Sequence, residues 1–413
     1  MRKVPRHRLA VNKQPDERKI GKMQTTGTSF ELGAQAGRPH CKTGRRDFLK
    51  LGAGAAAGMA VGGCATAAAR AARGPVAPEG DIRAFFVNLG HNMWCDWYPE
   101  EIDTSKIKHG LPDATLRCRD DIWRRVTDRV VAKGLNQLVI DVGEGVVYPR
   151  RPELAIRGSW SAERLAAEVD RLHGLGLEVI PKLNFSTTHN GWLKRYRRMV
   201  GTPEYYRVCE DCLRDVSEIF GSPRFIHIGC DEEDGEWHVM RSKSRQYVVV
   251  RRGEVWKHDF LHLVRTVEGL GARAWAWSDY GWEEPAFLDW CPKSVLLSNW
   301  YYDESHGGFD PKTNTTSDHK RLIQFWQLEE AGFDQVPCGT NWVGWARQKE
   351  GVGADDVIGK LVQTCRSCIS PAHLKGFLMA PWAACDTEKN GAKLARGVDL
   401  FADALSGKIP NVG

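Results

Sequence analysis

Eight short apolar runs recur at regular spacing after residue 80, over 82–90, 135–142, 177–185, 225–229, 272–278, 294–300, 334–340 and 374–380. Most are apolar without alternation, as parallel strands covered on both faces must be. Between them the apolar positions move to helical spacing. Ile122, Val126 and Val130 line up within 120–133, and Leu165, Val169 and Leu172 form a stripe after Ser161. Thr202-Pro203 predicts the start of a third helix, with proline in the first turn, where its missing N–H costs nothing. Further helices are predicted over 255–270, 317–331, 354–369 and 390–405, with a short one at 284–290. Eight strand–helix alternations predict an α/β fold, a single-domain (β/α)8 barrel over residues 81–413, rather than a doubly wound sheet. The stretch 234–253 between the fourth strand and its helix reads as an excursion over one face.

The first 80 residues have a different character. They carry 15 Lys/Arg against 5 Asp/Glu, which leaves 43 basic and 47 acidic residues in the body. The overall charge of +6 therefore belongs to the leader, and nothing in the body predicts nucleic-acid binding. Arg45-Arg46-Asp47-Phe48-Leu49-Lys50 fits a twin-arginine export consensus. The weakly apolar, Gly/Ala-rich stretch 51–63 behind it is too short and mild for a spanning helix. Residues 1–67 are thus expected to be a disordered n-region plus signal peptide, and 68–80 a linker. The twin-arginine translocase is the expected partner in export, to the periplasm, the cell envelope or the medium. Val61-Gly-Gly-Cys64 is a lipobox-like site that would leave an acylated Cys64 as a membrane anchor; Ala65-Thr-Ala67 is the competing cleavage site.

Twelve cysteines in an exported chain raise the question of disulfides or metal. Cys209-x-x-Cys212 and Cys365-x-x-Cys368 have the spacing of zinc half-sites. Each falls within a predicted helix, and the two helices stand on opposite sides of a barrel. Small buried hydrophobes are the favoured reading, and no metal or cofactor is expected.

In a (β/α)8 barrel the site lies at the C-terminal ends of the strands. Those ends carry His91 and Asn92 after the first strand, Asp141 and Glu144 at the second, and Asn184 and His189 after the third. Asp231 and Glu232 end the fourth, Trp277 and Asp279 the fifth, and Asn299, Trp300 and Tyr302 the sixth. Trp342 and Trp382 follow the seventh and eighth. All 16 tryptophans lie in the body, near seven of the eight strand ends. Aromatic faces beside amides and carboxylates suit a sugar, whose C–H faces stack while its hydroxyls need fixed partners.

The most specific segment is Phe225-Ile-His-Ile-Gly-Cys-Asp-Glu-Glu233, an apolar strand running into adjacent carboxylates. Its His227, Gly229, Asp231 and Glu232 resemble the signature of glycoside hydrolase family 20, the β-N-acetylhexosaminidases, with Cys230 in place of a second glycine. Trp277-Ser-Asp279 is similar to that family's fifth-strand element, and Pro181 and His189 to parts of its third. Lys182 and Asn184 replace two acids there. His91 and Asn92 stand where the family has a sugar-gripping arginine.

The resemblance implies an exported glycosidase that is retaining through substrate assistance. Glu232 would be the acid/base, and Asp231 would orient the 2-acetamido group that attacks the anomeric carbon. Glycoside cleavage needs a protonated carboxyl, and an adjacent carboxylate favours protonation of its neighbour. Without an acetamido sugar, Glu144 or Asp279 would have to serve as nucleophile or base. Two other readings stay open: a non-catalytic glycan-binding barrel, and a metal-dependent sugar isomerase or lyase using His189, His227, Asp231 and Glu232.

Overall fold

The computed structural model describes residues 81–93, 112–233, 249, 251–302, 320–341 and 357–408. The leader, the lipobox, most of the 234–253 excursion and Trp342 lie outside the described residues.

All eight expected strands form: β1 Ile82–Asn88, β2 Gln137–Asp141, β3 Glu178–Lys182, β4 Phe225–His227, β5 Arg273–Trp277, β6 Leu296–Ser298, β7 Cys338–Gly339 and β8 Gly376–Met379. Neighbours pair in parallel in the order β6-β5-β4-β3-β2-β1-β8-β7. Parallel bridges Leu297–Gln335 and Trp300–Cys338 join β6 to β7, backed by Val336 N–H to Leu297 O at 2.9 Å. The sheet is therefore closed into a (β/α)8 barrel. This is the architecture that the unalternating apolar runs demand, because each strand packs on both faces.

The helices are α1 Asp120–Ala132, α2 Ala162–Gly174, α3 Pro203–Ile219, α4 Gly253–Gly269, α5 Tyr280–Glu283, α6 Phe287–Trp290, α7 Lys320–Glu330, α8 Val357–Cys368 and α9 Glu388–Leu405. Their starts follow local chemistry. Ser161 Oγ accepts from Arg164 N at 3.1 Å, and Thr202 Oγ1 from Tyr205 N at 3.2 Å, so each caps an orphan donor of its helix. The helix after β8 begins two residues earlier than its hydrophobic pattern suggests, because Thr387 caps it through Asn390 N. The short fifth helix is split into α5 and α6, with Glu284-Pro285 between them; proline disfavours helical geometry in the residue before it.

The apolar residues sort into two layers. Ala84, Phe86, Val139, Ile180, Trp275 and Leu378 fill the barrel interior. A larger cluster, including Phe85, Val126, Leu165 and Val216, packs the sheet against the helices. A fully buried aliphatic side chain contributes roughly 1.5–3 kcal/mol, so this double layer holds the frame on which the mouth is built. Cys209 and Cys212 on α3 are buried in the outer layer and burial pushes their thiols upward. Among the described residues no helix is long and apolar enough to cross a membrane.

Candidate active site

The backbone after β4 is the most unusual in the barrel. Gly229 has φ +70°, Cys230 +69° and Glu232 +52°. Left-handed conformations cost a side-chain-bearing residue about 1–2 kcal/mol. They persist where the surroundings enforce them. Gly229 cannot be otherwise, since a Cβ there would lie 2.3 Å from Asn184 Oδ1. Cys230 occupies a conformation that a glycine would adopt freely, which is a physical reason for the family pattern's second glycine. The turn is held by Asn184 Oδ1, which accepts from Cys230 N at 3.3 Å and Ser186 N at 3.1 Å. Asp279 Oδ2 accepts from Glu232 N at 2.7 Å, and Thr188 Oγ1 donates to Glu232 O at 3.1 Å.

That turn brings four of the expected residues together. Asp231 Oδ1 accepts from Asn184 Nδ2 at 2.8 Å. His189 Nε2 lies 3.5 Å from Asp231 Oδ2 and 3.1 Å from Glu232 Oε2. Asn184, His189 and Asp231 are buried, while Glu232 keeps 16 % side-chain exposure and is the carboxylate most open to a ligand. Asp279 completes the group from β5. Burial first, then the charge of Asp231, holds its carboxyl well above the usual range.

Glu233, the next residue, has a different task. Arg251 donates to its Oε1 from Nη2 at 2.7 Å and from Nε at 3.1 Å, and Arg251 Nη1 also donates to Asp259 Oδ2 at 2.9 Å. Thr187 N adds a bond to Glu233 Oε1 at 2.9 Å. All three charged groups are buried, so Glu233 ties the β4 turn to α4 and to the β3 loop.

The β1 and β2 ends are braced together. Glu144 Oε1 accepts from His91 N at 2.7 Å and Asn92 N at 2.9 Å. Burial pushes its carboxyl up to about 7 against the pull of those donors. The Asn92 carboxamide is engaged with Asp113 N and O, both at 2.9 Å. His91 is half-buried; burial, aided by Arg117, lowers its ring to about 4. Asp141 pairs with Lys182 at 2.5 Å, both wholly inside the barrel. Burial raises the Asp141 carboxyl against the opposing pull of Lys182.

The opposite wall is aromatic. Trp300 stacks on Tyr302 at 5.0 Å between ring centroids, and Trp282 meets Trp300 edge-on at 4.5 Å. Trp382 donates to Tyr302 OH at 3.2 Å and packs on Phe86 at 4.8 Å. Trp382 reaches Trp277 at 6.1 Å, and Trp277 lies against His227 at 4.7 Å. Asn299 orients this wall, accepting from Trp282 Nε1 at 2.9 Å and donating to Arg321 O at 2.7 Å. An acidic turn thus faces stacked rings across a barrel mouth, a geometry suited to a ring with apolar faces and polar edges.

Sequence reasoning passed over Asn88 and Arg251, and noted Lys182 only as standing in place of an acid. Asn88 and Lys182 are single polar residues inside apolar runs. Their signal is that they fall in the inward phase at a strand's C-terminal end. Arg251 meets Glu233 from the far end of the excursion, and no local pattern announces it.

No family model matches the chain, and no curated protein matches it. Solved structures do. Dispersin B is 15% identical over 71% of this chain and 95% of its own, with a TM-score of 0.49. The β-N-acetylhexosaminidase from Bacteroides fragilis NCTC 9343 is 14% identical over 78% of this chain and 66% of its own, with a TM-score of 0.48. A mutant Streptomyces plicatus β-hexosaminidase in complex with product (GlcNAc) is 12% identical over 79% and 64%, with a TM-score of 0.49. The chain spans slightly less than two thirds of the latter two. The likeness is remote, and function has to be read from this chain's own residues.

Proposed function

We propose that this protein is a glycoside hydrolase acting on a 2-acetamido sugar, in the manner of the β-N-acetylhexosaminidases. The observation that carries the reading is the cluster of Asp231 and Glu232, on the left-handed turn after β4, with His189 from the loop after β3, beside an aromatic wall. Glu232, the more open carboxyl, donates its proton to the leaving oxygen as the glycosidic bond breaks. Asp231, fixed by Asn184 and His189, accepts the acetamide N–H and turns the carbonyl oxygen toward the anomeric carbon. The C–O bond so formed closes a five-membered ring. Water, deprotonated by Glu232, then opens it and restores both groups. His189, 3.1 Å from Glu232, positions that carboxyl. Unpartnered buried polar atoms at the mouth add support: Asn88 Nδ2 and Oδ1, His227 Nε2, Trp277 Nε1 and Asp279 Oδ1 meet no partner among the described residues. Such atoms each call for a partner, and a polar ligand at the mouth would supply one.

Glu232→Gln is expected to lower hydrolysis of sugars with poor leaving groups by about 10²–10⁴-fold, and to spare activated aryl glycosides, which need little protonation. Asp231→Asn should slow both. The assay compares aryl 2-acetamido and aryl 2-hydroxy glycosides. Unchanged rates in Glu232→Gln, or wild-type cleavage of the 2-hydroxy sugar alone, would sink the mechanism. Binding of glycans with no turnover of any glycoside would indicate a glycan-binding barrel instead.

We propose also that the chain is exported folded through the twin-arginine translocase. The motif Arg45-Arg46-Asp47-Phe48-Leu49-Lys50 motivates this. Changing both arginines to lysine should hold the protein in the cytoplasm, as read by cell fractionation; normal export of that variant rejects the route. An N-terminal acyl-Cys64 found by mass spectrometry would establish the anchor, and an unmodified Ala68 N-terminus would exclude it.

A further inference from the structure

Below the Asp231–Glu232 turn the barrel interior carries a polar layer. The strand register places Asn88 beside Asp141, Asp141 beside Lys182, and Lys182 beside His227. Ile82, Ala84 and Phe86 of β1 line the barrel interior, and strand alternation puts Asn88 on the same side, at its top. The four are between 0 and 1 % exposed, so their polar atoms have been taken out of water.

Two members of the layer satisfy each other. Lys182 donates to Asp141 at 2.5 Å, so each serves as the other's partner. The other two do not. His227 Nδ1 accepts from Gly229 N at 3.0 Å, while burial and then Lys182 keep the ring neutral, so its hydrogen sits on Nε2. That Nε2–H meets no acceptor among the described residues, and neither Asn88 Nδ2 nor Asn88 Oδ1 has a partner there. A buried amide with both ends unmatched costs about 1–3 kcal/mol per group. At the top of the barrel interior a polar ligand entering from the mouth would supply the missing partners.

We propose that Asn88 is a specificity residue that recognises two adjacent hydroxyls of the sugar ring. The inference rests on the glycoside hydrolase reading above. A carboxamide presents one donor and one acceptor side by side. A vicinal diol presents the matching pair, since each hydroxyl both donates and accepts. The 2-acetamido group cannot take this place, because its trans amide points N–H and C=O in opposite directions. A carboxylate or phosphate substituent is disfavoured too: the layer's one cation is already held by Asp141.

The test combines hydrolysis and calorimetric binding for wild type, Asn88→Ala and Asn88→Asp. The ligands are an aryl 2-acetamido glycoside and its 3-deoxy and 4-deoxy analogues. Wild type should favour the parent over at least one deoxy analogue. Asn88→Ala should lower kcat/KM for the parent roughly 10–100-fold and erase that preference. Asn88→Asp keeps the shape but loses the Nδ2 donor. It should lose the parent's advantage in the same way, and it serves if the alanine variant fails to fold. Equal losses on parent and deoxy analogues would assign Asn88 a structural role and overturn the inference; so would unchanged selectivity. Binding with diol selectivity but no turnover would overturn the hydrolase reading alone. Absence of any sugar binding by the wild type would overturn both.

Discussion

The two ends of this barrel treat buried charged groups differently, although buried atoms without a partner among the described residues occur at both, Gln137 Oε1 and Gln335 Oε1 at the N-terminal end included. At the N-terminal end, Glu178 accepts from Gln137 Nε2 at 2.6 Å and from Arg224 through two nitrogens at 2.9 and 2.7 Å. The partly exposed Asp334 pairs with Arg273 at 2.9 Å and with Lys375 at 3.1 Å. At the C-terminal end, Asn88, His227, Trp277 and Asp279 keep buried atoms without partners among the described residues, and Gly229, Cys230 and Glu232 of one turn hold left-handed backbone. The strands are the same strands, with the same apolar interior between the two ends. The difference separates paired carboxylates that secure the frame from polar groups left open at the mouth.

The contrast can be broken first at Glu144. Its carboxyl rises from an ordinary value near 4.5 to about 7 on folding. A raised acid binds its proton more tightly when folded. Its contribution to stability is therefore complete below pH 4.5 and is lost as pH rises through about 7. The loss amounts to about 3 kcal/mol, at 1.36 kcal/mol per unit. Glu144→Gln should flatten that part of the stability–pH curve; parallel curves for wild type and variant in denaturant titrations from pH 4 to 8 would refute the assignment. Asp279, raised by burial and by Asp231, acts with the same sign.

Arg224 tests the other end. Arg224→Met leaves the buried Glu178 carboxylate with Gln137 as its remaining partner and should cost about 2 kcal/mol. Its effect should fall on the melting temperature while kcat/KM stays unchanged, because the residue lies a full strand length from the mouth. A loss of activity without loss of stability would contradict the division between the ends.

The smallest effect is expected at Ser222, an exposed residue with φ +60° in the turn before β4. No ligand role motivates its left-handed backbone. Ser222→Gly should stabilise by roughly 1 kcal/mol, measured by urea denaturation, with activity unaltered. If it destabilises, left-handed backbone is not a cost in this turn, and the strain argument for Cys230 and Glu232 weakens with it.

Much of this molecule is legible along the chain. Runs such as 135–142 and 177–185 name buried parallel strands because a strand covered on both faces has no polar side to show. Ser161, Thr202 and Pro203 mark helix starts through contacts only three residues long. Asp231 and Glu232 stand out because adjacent acids at the end of an apolar strand are costly without a use. What the chain does not reveal depends on residues far apart in it. That Glu232 faces His189 while Glu233 is locked by Arg251 follows from a left-handed turn and a residue 18 positions onward. That Asn92 and Asn299 brace loops, and that Asn88 lies in one layer with Asp141, Lys182 and His227, follows from strand register. Local sequence determines periodicity and caps because their energies are local. Which polar group finds a partner is decided only when the closed barrel brings distant strands to the same height.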